Sequence, residues 1–361
     1  MRVAKLLLLL IVAGALFVAF APSPLDPVRW QPPVSPGFEG PFLYNEKLKG
    51  IEKLAPGSGT GPEAVVVDGQ GSVYTGFLDG RVMQFSADGS VGKVLIDTGG
   101  RPLGVALGDN NELLIADAHK GLLMLADQKL SVLSTGADGV PFGFTDDVDH
   151  VPGDPWVYFS DASYKFGFGH HMEDVLEHRG NGRLLAYNLQ TKETKTLMRD
   201  LHFANGVAVG PNGDYVLVNV TGEYRVLRYW LKGDKAGSSD VFIDNLPGFP
   251  DNITYNGRDT FWLALFAPRD PLLDHLLPGP PFLRKLVARL PASMQPKPVM
   301  HASAVALGLD GKVKAALQYR GPDAFAPITS VREHGDWLYF GSLSYPGFGR
   351  IALKSVMPAS K

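Results

Sequence analysis

The chain has no cysteine, which removes disulfides, zinc–thiolate centres and thiol nucleophiles from consideration. Neither sign of charge dominates: 34 Lys and Arg stand against 37 Asp and Glu, with no long basic stripe. That balance argues against nucleic acid as a partner. No glycine-rich phosphate loop and no Gly-x-Ser-x-Gly elbow is present, so neither a nucleotide cofactor nor serine-hydrolase chemistry has support. Helical periodicity is scarce, and long apolar runs are confined to the N-terminus.

What is abundant is turn chemistry. Forty-two glycines and 28 prolines are spread along the 361 residues rather than clustered, which suits an all-β chain with many turns. The pattern repeats from residue 60 onward. AVVVDGQGSVYTGF (64–77), VALGDNNELLIAD (105–117), VDHVPGDPWVYFSD (148–161), VAVGPNGDYVLVNV (207–220), ITYNGRDTFWLALF (253–266) and VREHGDWLYFGSL (331–343) each set two alternating apolar runs around a Gly, Asn or Asp turn. Many are followed by a second hairpin, such as DGRVMQFSADG (79–89). Six such units, spaced by about 40 residues or more, predict an all-β, six-bladed β-propeller over residues 46–361. A two-sheet sandwich would not explain the repeat. In the fifth unit a segment, about 267–300, places Phe282, Leu283, Leu286, Val287 and Leu290 at helical spacing among Arg284, Lys285 and Arg289. It reads as a helical insertion that packs on the propeller, and also as a lid over the mouth or a membrane-touching face.

At the N-terminus, Arg2 and Lys5 precede an uncharged apolar run from Leu6 to Ala21. Charge in that position predicts a cytoplasmic N-terminus and an extracytoplasmic propeller. The run is short for a spanning helix, which needs roughly 17–25 residues. Pro22 directly follows the Ala19-Phe20-Ala21 triplet and disfavours cleavage, so residues 1–21 fit a membrane-anchor helix better than a cleaved signal peptide, which would release the protein. Residues 22–45, with seven prolines, read as an extended tether.

In a propeller the residues just before each innermost strand meet around the axis. Those positions hold Glu63, Asp146 and Asp147, Asn205, and Asp251 and Asn252, all oxygen donors. Singly, each is explained by turn capping. Together they are not, because clustered carboxylates repel unless a cation lies among them. Oxygen-only ligation with carboxamides suits Ca²⁺ better than zinc or copper.

The runs RPLGVAL (101–107), FTDDVD (144–149), YFSDASYKF (158–166), LHFANGVAV (201–209), LPGFPDNI (246–253) and EHGDWLYFGSL (333–343) resemble the strictosidine synthase-like family of six-bladed propellers. The chain is more distantly similar to gluconolactonases and paraoxonases. The resemblance covers about residues 60 to 350 and implies an axial Ca²⁺ held by Glu63, Asn205, Asp251 and Asn252, with Asp146 as a further ligand. A second, structural calcium is not expected, because Ala64 stands where paraoxonases carry an aspartate. Leu103 replaces the second-blade histidine of paraoxonases, and Thr329 falls where strictosidine synthases carry their catalytic glutamate. Threonine cannot shuttle the protons of an imine condensation at neutral pH, so strictosidine synthesis is not expected. The expected chemistry is calcium-dependent hydrolysis of small esters or lactones, with Asp146 or Asp251 as the base. His170, His171, His202 and His301 are further candidates for that role. The competing expectation is a non-catalytic propeller stapled by calcium, serving as a binding module at the membrane surface.

Overall fold

Turn chemistry punctuates the chain as the repeat requires. Asp68 illustrates it: its carboxylate accepts from the backbone of Gln70 (2.9 Å) and Ser72 (2.8 Å), reversing the chain between two strands. The computed structural model describes Lys5 and residues 22–110, 112–291, 294–295 and 297–357. Six antiparallel four-stranded sheets result. Their innermost strands are Val65–Val67, Pro102–Leu107, Thr145–His150, Ala204–Val209, Gly248–Tyr255 and Ser330–His334. The fold is therefore a six-bladed β-propeller. The N-terminal run read as a membrane anchor lies, except for Lys5, outside the described residues. Among those residues no helix is long and apolar enough to cross a membrane.

In each blade the outermost strand is the most exposed. In the fourth, Ala204–Val209 is buried at every position while the outermost strand, Ser239–Ile243, is largely open. The apolar core accordingly lies between sheets. Val65, Val73 and Phe85 of the first blade pack with Tyr339 and Phe348 of the sixth. Ala106 and Leu114 of the second pack with Val148, Val157 and Phe159 of the third. The ring is closed by a strand from the other end of the chain. Glu52–Leu54 forms the outer edge of the sixth blade, pairing antiparallel with Phe348–Ala352.

Among the described residues three short α-helices are inserted between strands of a blade, and a fourth, Leu353–Val356, follows the last strand. α1 (His171–Glu177) lies between the second and third strands of the third blade. α2 (Pro271–Leu276) and α3 (Pro281–Ala288) lie between the second and third strands of the fifth. Asp270 caps α2, accepting from Leu272 N (2.7 Å) and Leu273 N (3.0 Å), and Pro271 takes the first-turn position where no N–H is needed.

Residues 22–45 are extended apart from a 3-10 turn at Gly40–Phe42, but they form a strap rather than a free linker. Asp26 N donates to Glu177 Oε2 (2.8 Å), Val28 N to Glu177 O (3.0 Å) and Trp30 N to Leu277 O (3.2 Å). Arg284 does not stand with the solvated charges of its helix. It is fully buried, and its guanidinium donates to Leu176 O (2.9 Å) and Val28 O (2.5 Å), tying α3, α1 and the strap into one cap.

Candidate functional site

The innermost strands are irregular at the positions of interest. Pairing with the second strand breaks register between Thr145 and Val148, between Ala204 and Val207, and between Pro250 and Ile253. These bulges span Asp146-Asp147, Asn205-Gly206 and Asp251-Asn252. A bulge inserts an unpaired residue and re-aims side chains that strict alternation would send to opposite faces. The neighbouring blades press closely here. A Cβ on Gly206 would lie 2.5 Å from Asp251 O and 2.6 Å from Asn252 Cα, so the fourth and fifth inner strands touch only because that residue is glycine.

Glu63, Asp146, Asn205 and Asp251 all line one cavity of about 520 Å³. Each arrives from a different blade. The Glu63 backbone is held by Thr329 Oγ1 (2.7 Å) and Ser330 Oγ (2.8 Å), both donating to its carbonyl. Asn205 hydrogen-bonds the Asp251 carboxylate, and the Asp251 carbonyl accepts from the Asn219 carboxamide. Asn252 does not line the cavity. It is buried beside it, its backbone N–H donating to Thr329 O (3.0 Å), with neither carboxamide atom partnered. Asp147 turns away to accept from Val207 N (2.9 Å), joining the third blade to the fourth.

Burial and mutual repulsion raise the proton affinity of this floor. Desolvation, then the charges of Asp146 and Asp251, hold the Glu63 carboxyl well above the usual range. Asp146 is raised by burial, then by Asp251 and Asp147. Asp251 is raised mainly by burial, with Asn205 opposing. Desolvation pushes Asp147 up to about 7. Arg332 acts on Asp147, and a second cation faces Glu63 and Asp146. Arg101, 1 % exposed, donates to Gly61 O (2.8 Å) and Pro102 O (3.1 Å), and its charge favours ionisation of Glu63 and Asp146. No role for Arg101 follows from composition or spacing. Its only trace in the sequence is its place at the head of an inner-strand run.

The floor suits a hard cation by its donor chemistry. Glu63 Oε2, Asn205 Oδ1 and Asn252 Oδ1 are buried oxygens without hydrogen-bond partners. Calcium takes six to eight such oxygens, carboxylate and carboxamide alike. Among the described residues no group of three or more His, Asp or Glu side chains is gathered tightly enough to hold a metal by itself. A cation here would need the asparagine oxygens as well.

Above the floor the walls are apolar: Leu103, Phe144, Phe168, Phe203, Phe249 and Phe266. Of the four histidines considered, His171 alone lines the cavity. His170 lies 3.0 Å from Glu173. His202 lies 3.0 Å from Glu223 and stacks on His178 at 4.4 Å. His301 is buried beneath Phe38 at 4.6 Å, where desolvation pushes it down to about 4. Thr329 is fully buried and spent on the Glu63 carbonyl, so it offers no proton shuttle.

A six-bladed propeller with an acidic, oxygen-lined floor beneath an apolar cavity is the class these features define. Residues 146–234 match the strictosidine synthase family and residues 40–85 the strictosidine synthase-like N-terminal family. Strictosidine synthase-like 6 of Arabidopsis thaliana is 36 % identical over 322 residues, covering 87 % of this chain and 85 % of that protein. The adipocyte plasma membrane-associated protein of Rattus norvegicus is 30 % identical over 357 residues, covering 92 % and 94 %. The chain belongs to the strictosidine synthase-like family. Among solved structures, a gluconolactonase from Xanthomonas campestris superposes with TM-score 0.60 at 14 % identity, covering 84 % of this chain and 89 % of that one. A calcium-binding protein, regucalcin, from Agrobacterium tumefaciens gives 0.55 at 14 % identity, covering 83 % and 90 %. Both likenesses bear on the fold alone.

Proposed function

We propose that this protein hydrolyses esters or lactones of small apolar molecules at the propeller mouth, using a calcium ion held by Glu63, Asp146, Asn205 and Asp251, with Asn252 beside them. The observation that carries the reading is the set of buried, unpartnered oxygens under an apolar cavity. The gluconolactonase and calcium-binding names of the structural neighbours agree with it. When bound, calcium would polarise the substrate carbonyl and stabilise the developing oxyanion. The phenylalanine walls hold the acyl or ring portion and exclude water. Asp251 or Asp146 takes the proton of the attacking water. Burial raises the proton affinity of both carboxyls, which strengthens either one as a base when it is ionised. Strictosidine synthesis is not proposed, given the position of Thr329.

The apolar run 6–21 and the name of the adipocyte relative support a membrane-anchored chain with the propeller on the extracytoplasmic side. A second reading, a calcium-stapled binding module without turnover, is favoured by one observation: the donors come from four blades, as a structural clamp would have them. Turnover of a panel of aryl esters and lactones, with and without a chelator, separates the two. Chelator-sensitive turnover supports the hydrolase. A chelator that only lowers the melting temperature, with no turnover on any substrate, overturns it.

A further inference from the structure

We propose that the outer face of the cap rests on a lipid bilayer and that the cavity draws its occupant directly from that bilayer. The occupant class is a lipophilic ester or lactone dissolved among acyl chains rather than a water-borne one. The docking rests on the membrane-anchor reading of residues 6–21; the words ester and lactone rest on the hydrolase reading.

Three observations converge on the cap. The cavity rim is apolar and open: Leu78 and Leu272 are 49 % exposed and Val299 59 %, although all three line the same cavity as the buried acids. Continuous with this rim in sequence is Phe282, 55 % exposed near the start of α3. Large apolar side chains at a cavity entrance cost solvation in water, and their grouping marks a contact surface. Secondly, cationic residues stand among them. Lys285 follows Phe282 by three positions on α3, which places both on one side of the helix, and exposed Lys297 lies two residues from Val299. Ammonium groups beside apolar anchors suit the boundary of headgroup phosphates and acyl chains.

Thirdly, the chain itself selects the occupant. The apolar run ends at Ala21, and Pro22 O accepts from Arg289 Nη2 (3.2 Å), directly after α3. Leu25 is buried against Phe166 and Leu176, in a cluster that includes Val287 and Leu273. Val287 and Leu273 also line the cavity. The point where an anchor would leave the bilayer therefore lies three residues before a side chain that packs on the cavity wall. An anchored chain has no slack to turn its mouth away, because the strap is hydrogen-bonded to α1 and α3 over its first residues.

The absence of cysteine gives a clean test. Single Leu272→Cys, Phe282→Cys and Val299→Cys variants of the full chain, with Gln70→Cys on the opposite end of the propeller as reference, are spin-labelled in phosphatidylcholine–phosphatidylglycerol proteoliposomes. Accessibility to oxygen and to an aqueous nickel chelate is then measured. The expected result is lipid-like accessibility at positions 272, 282 and 299 and aqueous accessibility at position 70. Cap labels as aqueous as that at position 70 overturn the proposal. So does protection accompanied by dipolar broadening that vanishes on dilution with unlabelled protein, since the cover would then be a second copy.

A kinetic arm addresses the source of substrate. Phe282→Asp should slow hydrolysis of a long-chain aryl ester dissolved in the bilayer by about ten-fold and leave a short, water-soluble aryl ester unaffected. Equal effects on both esters would overturn bilayer delivery. Lipid-buried labels without turnover on any ester would sink the hydrolase reading and leave the docking intact; turnover with aqueous labels would do the reverse.

Discussion

The floor and the cap of the cavity are built on opposite principles. The floor is supplied by inner strands of several blades, locked by side-chain bonds between blades: Asp147 to Val207 N, Thr221 Oγ1 to Pro250 O, Thr254 Oγ1 to Val331 O, Thr329 Oγ1 to Glu63 O. Its charges are desolvated and in excess of one sign. The cap is supplied by one strap and three short helices, held by a few polar pins such as Arg284, and it exposes large apolar side chains such as Leu272, Phe282 and Val299. Rigidity and electrostatic tension belong to the floor, and access belongs to the cap. Substitutions in one should leave the other's function largely intact.

The largest contrast is expected in turnover. Asp251→Asn should lower hydrolysis of a water-soluble ester by at least about 100-fold with the fold intact by circular dichroism. Arg284→Leu should change it less than about threefold, because that guanidinium only joins cap elements. Equal losses in the two would break the distinction.

In stability the order again favours the floor. Gly206→Ala drives a Cβ into the Asp251–Asn252 backbone and should cost about 2–3 kcal/mol, read by denaturant or thermal unfolding. Gly37→Ala, in the strap, meets nothing within 4 Å and should cost about 1 kcal/mol, from its positive φ alone.

The pH dependence is a subtler probe of the same floor. A buried carboxyl with raised proton affinity keeps its proton in the folded chain above about pH 4, where the unfolded chain has already lost it. The folded state then binds more protons, so its stability is greatest at acid pH and falls as pH rises toward the folded-state value, about 7 for Asp147. Chelated protein should therefore unfold more easily at pH 7 than at pH 5, and calcium should flatten that slope. A chelated protein that gains stability over this interval would contradict the reading.

The smallest and most local effect concerns the strap. Arg284→Leu should speed amide exchange at Val28 and Trp30 while the inner strands of the blades remain protected.

The blades were legible because each repeats a short-range pattern: apolar alternation and an Asx or Gly turn such as Asp68–Gly71, which needs no distant partner to form. The oxygen donors were legible because they fall together near the starts of inner strands, although only Glu63 precedes its strand and the others lie within theirs, and any propeller gathers those positions at its axis. What adjacent residues do there was not. Asp146 faces the cavity while Asp147 bonds the next blade, and Asp251 faces it while Asn252 is buried beside it. Bulge geometry decides this, and bulges depend on pairing with a strand several residues away. Arg101 and Arg284 read as ordinary charges, because their burial is created by segments remote in the chain.

The amino-acid order by itself determined the six-fold repeat, the oxygen-rich character of the axis, and the exclusion of thiol chemistry. These depend on residue type and near-neighbour spacing. Tertiary structure decided which oxygens share one cavity, that the tether is a strap, that Glu52–Leu54 closes the ring, and that an apolar entrance overlies the acids. Each of those outcomes is a contact between segments far apart in the chain, set by how whole sheets pack around an axis, and no local pattern encodes it.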